Sequence, residues 1–399
     1  MYQPNAKILE KYADVLVNYA LSSGKGVKQG EVVQCMVPDV AKPMLEPLQK
    51  AILKSGAHPI MRMLPTGLDK PFYEFANEEQ LTFFPKKYLK ARVDLIDHSI
   101  RILAEHDLHE LKDTNPKKIV KAAESRKKVR EWRNNKEYAG DFTWTIAIFG
   151  TEAMAKESGL TLKDYWKEII KACFLDFNDP IGKWKNINKE QERVRKQLNS
   201  LQIDRLHVKG KKINLWIKLG KQRKWNGGSG RNIPSFEIFV SPDWRGTNGY
   251  IEFNQPLYRY GNLIEGVKLR FEKGIVVEAK AVRGEKLLKT IIKRPNADKI
   301  GEFSLTDSQA TRITKFMANT LYDENVGGKY GNTHIALGMS YKDTYDGDPR
   351  KLNKSDWKSL GFNDSGEHCD IVSTQDRIVT AYIKDGSKKV IYRQGKFVI

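Results

Sequence analysis

An α/β domain followed by a β-rich α+β domain is the architecture this sequence predicts. Three observations point to it. Helix-period and strand-period segments alternate over the first hundred residues; helical patterning dominates from there to about residue 199; short strand-like segments between glycine-rich turns fill the rest. A chain of 399 residues is too long for one comfortable core, so two domains are expected, at residues 1–190 and 191–399.

Each element has its own signal. Residues 5–22 place Ile8, Leu9, Tyr12, Leu16, Val17, Ala20 and Leu21 on one helical face, and Ser-Ser-Gly ends that helix. A strand is predicted over Glu31–Val37, a helix over Met44–Lys54 and a strand over His58–Leu64. A helical region then runs from about Asn77 to Asp97, interrupted by Pro85, before a strand at Ser99–Ala104. Alternating helices and strands are what a Rossmann-like parallel sheet with crossover helices produces. No glycine-rich phosphate fingerprint follows any of these strands, which argues against nucleotide binding. Pro116–Asn199 reads as mainly helical and includes the amphipathic Leu162–Cys173; a last helix within Asp179–Leu201 bridges the halves. Beyond it, strands are predicted at Lys212–Leu219, Phe236–Val240, Val267–Phe271, Ile275–Val282, Ile335–Met339, Ile378–Ile383 and Lys389–Tyr392. A helical insertion is expected at Ser308–Asn319.

Composition narrows the function classes. The chain is 40% hydrophobic and 30% charged, which is globular rather than disordered. It has no apolar run approaching the roughly 18 residues of a membrane span, and its N-terminus lacks a signal-peptide core. Its three cysteines, Cys35, Cys173 and Cys369, are far apart, which argues against a disulfide framework and fits the cytoplasm. The net charge of +20 would attract polyanions. Lysine pairs at 117–118, 127–128 and 211–212 are nevertheless dispersed, with no nucleic-acid-binding motif beside them. A generally basic surface is therefore favoured over a dedicated nucleic-acid site. GGSG at 227–230 reads as a loop in preference to a phosphate cradle.

The chemistry concentrates in the second half. His334 lies in GNTHIALGMSY, and His368 lies in GEHCDIV, two residues before Asp370. In an extended segment His368 and Asp370 share a face while Cys369 points away. That pairing suits a borderline divalent ion such as zinc, cobalt or manganese, although a hydrogen-bonded core histidine is the plainer reading of an isolated HxD. Glu237 interrupts the apolar run SFEIFV, and Glu302 follows glycine in KIGEFSL. A buried glutamate costs several kcal/mol unless it is paired or bound to a cation.

Five stretches carry a resemblance: NIPSFEIFVSP, VKLRFEKGIVVEAKAVRGEKLL, KIGEFSL, GNTHIALGMSY and EHCD. In this order and spacing they resemble the aminopeptidase T / aminopeptidase S family of thermophilic-type two-metal aminopeptidases. The N-terminal half is similar more loosely, through RILAE and DPIGKW. The resemblance implies six metal ligands, Glu237, Glu302, His334, Tyr341, His368 and Asp370, with successive spacings of 65, 32, 7, 27 and 2 residues. It further implies two divalent ions (Zn, Co, Mn or Mg), short peptide substrates, a homodimer and a C-terminal metal-binding catalytic domain. Glu302 is the expected bridging carboxylate, and Glu278 in VVEAK is a candidate general base. The chain departs from the family pattern in two places: Phe236 where glycine is more usual before the first glutamate, and Cys369 where tryptophan commonly separates the last two ligands. The readings weighed against a peptidase are a nucleic-acid-binding protein on a degenerate peptidase fold and a metal-dependent hydrolase of non-peptide substrates.

Overall fold

The computed structural model describes residues 2–399. The chain forms two compact units, one up to Lys185 with Ser229–Ile233 added, the other Asn186–Gly228 with Pro234–Ile399.

The first unit is built on parallel strands. Helix α1 (Ala6–Val15) starts where the Asn5 side chain accepts from the Ile8 N–H, and it buries Leu9, Tyr12, Ala13 and Val15. Its apolar face continues through a π-helical turn, Leu16–Ala20. Strand β1 (Val32–Pro38), helix α2 (Leu45–Lys54) and strand β2 (His58–Leu64) follow. Three short helices, α3 (Asp69–Phe75), α4 (Glu78–Thr82) and α5 (Lys86–Leu95), lead to β3 (His98–Leu103). The predicted interruption at Pro85 is real: proline cannot donate the backbone hydrogen bond that a continuous helix needs, and Pro85 stands immediately before α5.

Helices α6 (Pro116–Ser125) and α7 (Lys127–Ala139) precede β4 (Thr143–Ile148). This strand interrupts the stretch Pro116–Asn199 that reads as mainly helical. Its sequence, TWTIAI, is rich in β-branched and aromatic residues, which pack well on a pleated sheet. Helices α8 (Glu152–Glu157), α9 (Leu162–Ala172) and α10 (Pro180–Ser200) complete the helical stretch. The sheet order is β2-β1-β3-β4-β8, every pair parallel, where β8 (Asn232–Ile233) is contributed by the later insertion.

The second unit is dominated by antiparallel sheet. Its strands in chain order are β5 (Ile203–Gly210), β6 (Ile213–Lys218), β7 (Asn226–Gly227), β9 (Glu237–Val240), β10 (Asn248–Glu252), β11 (Leu257–Arg259), β12 (Asn262–Ile264), β13 (Lys268–Glu272) and β14 (Ile275–Lys280). After helix α11 (Glu285–Ile292) come β15 (Ile300–Thr306), helix α12 (Thr320–Asp323), β16 (Asn332–Gly338) and helix α13 (Lys354–Ser359). Strands β17 (His368–Ser373), β18 (Ile378–Ile383), β19 (Lys388–Arg393) and β20 (Lys396–Phe397) end the chain. One sheet runs β14-β13-β10-β6-β5-β18-β19-β20, another runs β17-β16-β15-β9-β7, and β11 pairs with β12.

Side chains of Ile238, Val240, Phe303, Leu305, Ile335, Leu337, Cys369 and Ile371 lie in the main apolar core of this unit. Alternation then turns the intervening residues of β9, β15, β16 and β17 to the other face. The expected helix at Ser308–Asn319 is absent; a turn at its start and then irregular backbone occupy it. There the Thr311 hydroxyl donates to the Asn325 carbonyl and accepts from the Ile313 N–H, and Ala318 is left-handed at φ 51°. Local side-chain bonds of this kind compete with the helical ladder. No helix of the described residues is long and apolar enough to cross a membrane.

Candidate metal centre

Four antiparallel strands carry the chemistry. Register sets Ser304 opposite both Phe239 and His334, Thr306 opposite Glu237, Glu302 opposite Ala336, and Asp370 opposite Ala336. Directly opposed residues of a pair share a face, so Glu237, Glu302, His334, His368 and Asp370 all project to the side away from the apolar core. The small residues Ser304, Ala336 and Gly338 stand among them on this face and leave the longer side chains room to converge. A register shift between Ile300 and Glu302 marks a bulge at Gly301. A Cβ at Gly301 would lie 2.3 Å from the Met339 carbonyl oxygen and 2.5 Å from that of Gly338, so only glycine fits this close approach.

The convergence forms two triplets, Glu237–Glu302–His334 and Glu302–His368–Asp370. Within each, one ligand atom per residue lies within 4.8 Å of the others. His334 Nε2 is 3.0 Å from Glu302 Oε1 and 3.1 Å from Glu237 Oε2. His368 Nε2 is 3.3 Å from Asp370 Oδ1 and 3.8 Å from Glu302 Oε2. The opposite ring nitrogens are anchored to backbone: His334 Nδ1 donates to the Glu324 carbonyl at 3.2 Å and His368 Nδ1 to the Met339 carbonyl at 2.9 Å. Such bonds fix the ring and aim Nε2 at the cluster, as outer partners do for metal-bound imidazoles. Serine hydroxyls steady Glu237, Ser235 at 3.4 Å and Ser304 at 3.3 Å. Tyr341 follows β16; its ring centroid is 4.6 Å from that of His368 and 6.0 Å from that of Phe239.

Electrostatics record the crowding. Burial and the nearby Glu237 charge raise the Glu302 pKa to about 7, against the hydrogen bond from His334. Burial opposes charge on His334, yet its contacts with Glu237 and Glu302 raise its pKa well above the ordinary value. Burial likewise opposes charge on His368, but Asp370 and Glu302 raise it to about 9. Asp370 is held at about 2 despite burial, through His368, His334 and Arg259. The protein packed round the Tyr341 phenol, and then the charges of Glu302 and Asp370, push its pKa well up.

One acid in this cluster escaped the sequence reading. Glu324, at the end of α12, is 8% exposed. Burial, then the charges of Glu237 and Asp370, raise its carboxyl well above the usual range. Asn325 Nδ2 donates to its Oε1 at 3.3 Å. The only sequence signal was an acid–amide pair, Glu324–Asn325, ten residues before His334 in a segment with no usable periodicity. Glu278 lies elsewhere: it sits on β14, an edge strand of the eight-stranded sheet, half-buried and ion-paired with Arg270 and Lys280. The geometry therefore gives the Glu278 suggestion no support. Of the two departures from the family pattern, Cys369 points into the apolar core. Phe236 is buried, with its N–H donating to Asn325 Oδ1 at 2.7 Å.

Four carboxylates around two imidazoles carry more negative charge than those imidazoles can balance. Oxygen and nitrogen donors without thiolate suit hard-to-borderline divalent cations, and cation binding would relieve the repulsion that raises Glu302 and Glu324. The donor set thus fits a metallohydrolase centre.

The chain belongs to the thermophilic metalloprotease (M29) family, whose model matches residues 5–397. It is 27% identical over 415 residues to aminopeptidase 2 of Geobacillus stearothermophilus, covering 98% of each chain. Aminopeptidase PepS of Streptococcus thermophilus is also 27% identical, over the full length of both. Aminopeptidase T of Thermus thermophilus is 29% identical over 275 residues, 64% of this chain and 65% of that protein. The structure of wild-type AmpT from Thermus thermophilus shares the fold, with a TM-score of 0.83 over 98% of this chain and 99% of that one, at 24% identity.

Proposed function

We propose that the protein removes N-terminal residues from short peptides at a centre of two divalent ions held by Glu237, Glu302, His334, Tyr341, His368 and Asp370. The enzyme is a metal-dependent aminopeptidase, as its family and its aminopeptidase relatives support. The observation that carries the finer reading is the membership of Glu302 in both ligand triplets, the placement of a carboxylate shared between two cations. When bound, such ions (Zn, Co, Mn or Mg) polarise a carbonyl and lower the pKa of a coordinated water.

The chain's own residues do the rest. Ser235 and Ser304 orient Glu237, and the Glu324 and Met339 carbonyls orient the two imidazoles. Glu324 is a buried acid whose own backbone carbonyl holds His334; with cations bound to ease its ionisation, its carboxylate could accept a proton from the attacking water and return it to the departing amine. We assign it that role in place of Glu278. The catalytic part is read as residues 191–399 and the α/β part as residues 1–190, a division that lies within a few residues of the two compact units except for Ser229–Ile233, which join the first. Three buried free cysteines support a cytoplasmic setting. The homodimer implied by the resemblance is part of this reading, and sedimentation would check it.

The direct test is metal content of chelator-free protein, followed by release of the N-terminal residue from a short peptide with a free or an acetylated amine. About two ions per chain and cleavage of the free-amine peptide alone would uphold the reading. Equal cleavage of the blocked peptide would remove the aminopeptidase assignment. No bound ion, and no cleavage with any added ion, would remove the metal centre.

A further inference from the structure

The positive charge dispersed in sequence is concentrated in the fold. Helices α5, α6 and α7, with Arg126 joining the last two, hold thirteen lysines and arginines against four acids. These 34 residues therefore carry nine of the twenty excess charges. Some of these cations are occupied within the fold. Lys136 donates to the Val93, Asp94 and Ile96 carbonyls at the end of α5, and Lys118 to those of Tyr73 and Ala76.

Four arginines are not occupied in this way: Arg92 on α5, Arg101 on β3, and Arg130 and Arg133 on α7. Among the described residues, none of their guanidinium groups makes an ion pair or a hydrogen bond. Lys136 ties α7 to the end of α5, and burial, with the charges of Arg101, Arg92 and Arg130 acting against Glu137, holds Arg133 below the usual arginine range. Arg101 is paired on either side with Met36 and Ile146, in a strand central to the sheet. Strands of parallel sheets are ordinarily covered on both faces, yet Arg101 is exposed. On α5 and just before it, Tyr88 is 59% and Phe83 64% exposed, and the Arg92 guanidinium lies 5.9 Å from the Tyr88 ring.

We propose that this arginine-lined face of the first unit binds single-stranded nucleic acid, with phosphates on Arg92, Arg101, Arg130 and Arg133 and bases stacked on Tyr88 and Phe83. Unpaired guanidiniums match phosphate oxygens in charge and in fork geometry. Exposed aromatics beside a basic track are the general means of holding unpaired bases. A second copy of this face would oppose like charge with like charge. A flat bilayer engages side chains that protrude, whereas Arg101 rises from a central strand.

The test is fluorescence anisotropy of a labelled single-stranded 20-nucleotide uridine RNA with full-length protein stripped of nucleic acid. The double variant Arg101→Gln/Arg130→Gln should weaken binding at least about tenfold and flatten its salt dependence. Lys388→Gln/Lys389→Gln, an equal charge loss on exposed residues of the second unit, should weaken it less than about threefold. Tyr88→Ala should cost roughly five- to tenfold. All three should keep wild-type melting temperature and peptidase activity, which separates this site from the metal centre. The proposal is overturned if both double variants weaken binding equally, if RNA fails to bind near physiological salt, or if phosphatidylserine vesicles bind where RNA does not.

Discussion

Two buried histidine networks in this molecule use the same residue types to opposite ends. In the first unit, His98 places Nε2 2.8 Å from Glu31 and Nδ1 2.8 Å from the Thr143 hydroxyl. One carboxylate and one hydroxyl match its two nitrogens, and burial of Glu31 is outweighed by its hydrogen bonds, which lower its pKa. In the second unit, His334 and His368 meet Glu237, Glu302 and Asp370, with Glu324 close enough to feel them. The first network is closed and balanced; the second holds surplus donor atoms. A count of charges and lone pairs around a histidine thus separates a core residue from a candidate ligand better than burial, since His98 and His334 are both buried.

The contrast can be broken most severely at Glu302. Glu302→Gln should abolish peptide cleavage, by at least about a thousandfold, and reduce bound metal by elemental analysis. Wild-type turnover with full metal content would mean that the shared carboxylate is no ligand. Next in size, Glu324→Gln should lower kcat about a hundredfold or more while leaving metal content intact; a rise in KM alone would point to substrate positioning instead.

A third outcome concerns protons. Without metal, Glu302 near 7 and His368 near 9 retain protons that ligation must displace. Raised pKa values oppose metal binding at low pH, so apparent affinity should climb between about pH 6 and 9, with proton release visible as buffer-dependent heat in calorimetry. Flat affinity over that range would contradict it. The smallest effect should come from the balanced network. His98→Asn should leave cleavage and metal content unchanged and cost about 1–3 kcal/mol in denaturant unfolding, by stranding Glu31 or Thr143.

How much was legible in advance followed from how local the cause was. Strand alternation is a property of adjacent residues, so His368 and Asp370 could be set on one face from GEHCDIV alone. Of the other candidate ligands, Glu237, Glu302 and His334 lie on three separate strands and Tyr341 follows the last of these, and only the five-stretch resemblance connected them. Glu324 was invisible because it sits where a four-residue helix ends, in a segment held by Thr311, Asn319 and Asn325 side-chain bonds with no repeating period. Strand β4 was missed because a six-residue segment is easily absorbed into flanking helical patterns. The concentration of charge was hidden for a related reason. Residues of α5 and α7 lie some forty positions apart and meet only when Lys136 caps the end of α5.

Glu302 also bears on how the centre would behave as it fills. If two ions bind as proposed, a carboxylate common to both triplets would tie the two positions together, so that neither could be emptied without altering the field of the other. Loading should then proceed as a linked sequence in place of two independent equilibria. A chain holding a single ion would be a distinct species with its own affinity and rate, rather than half of the finished enzyme.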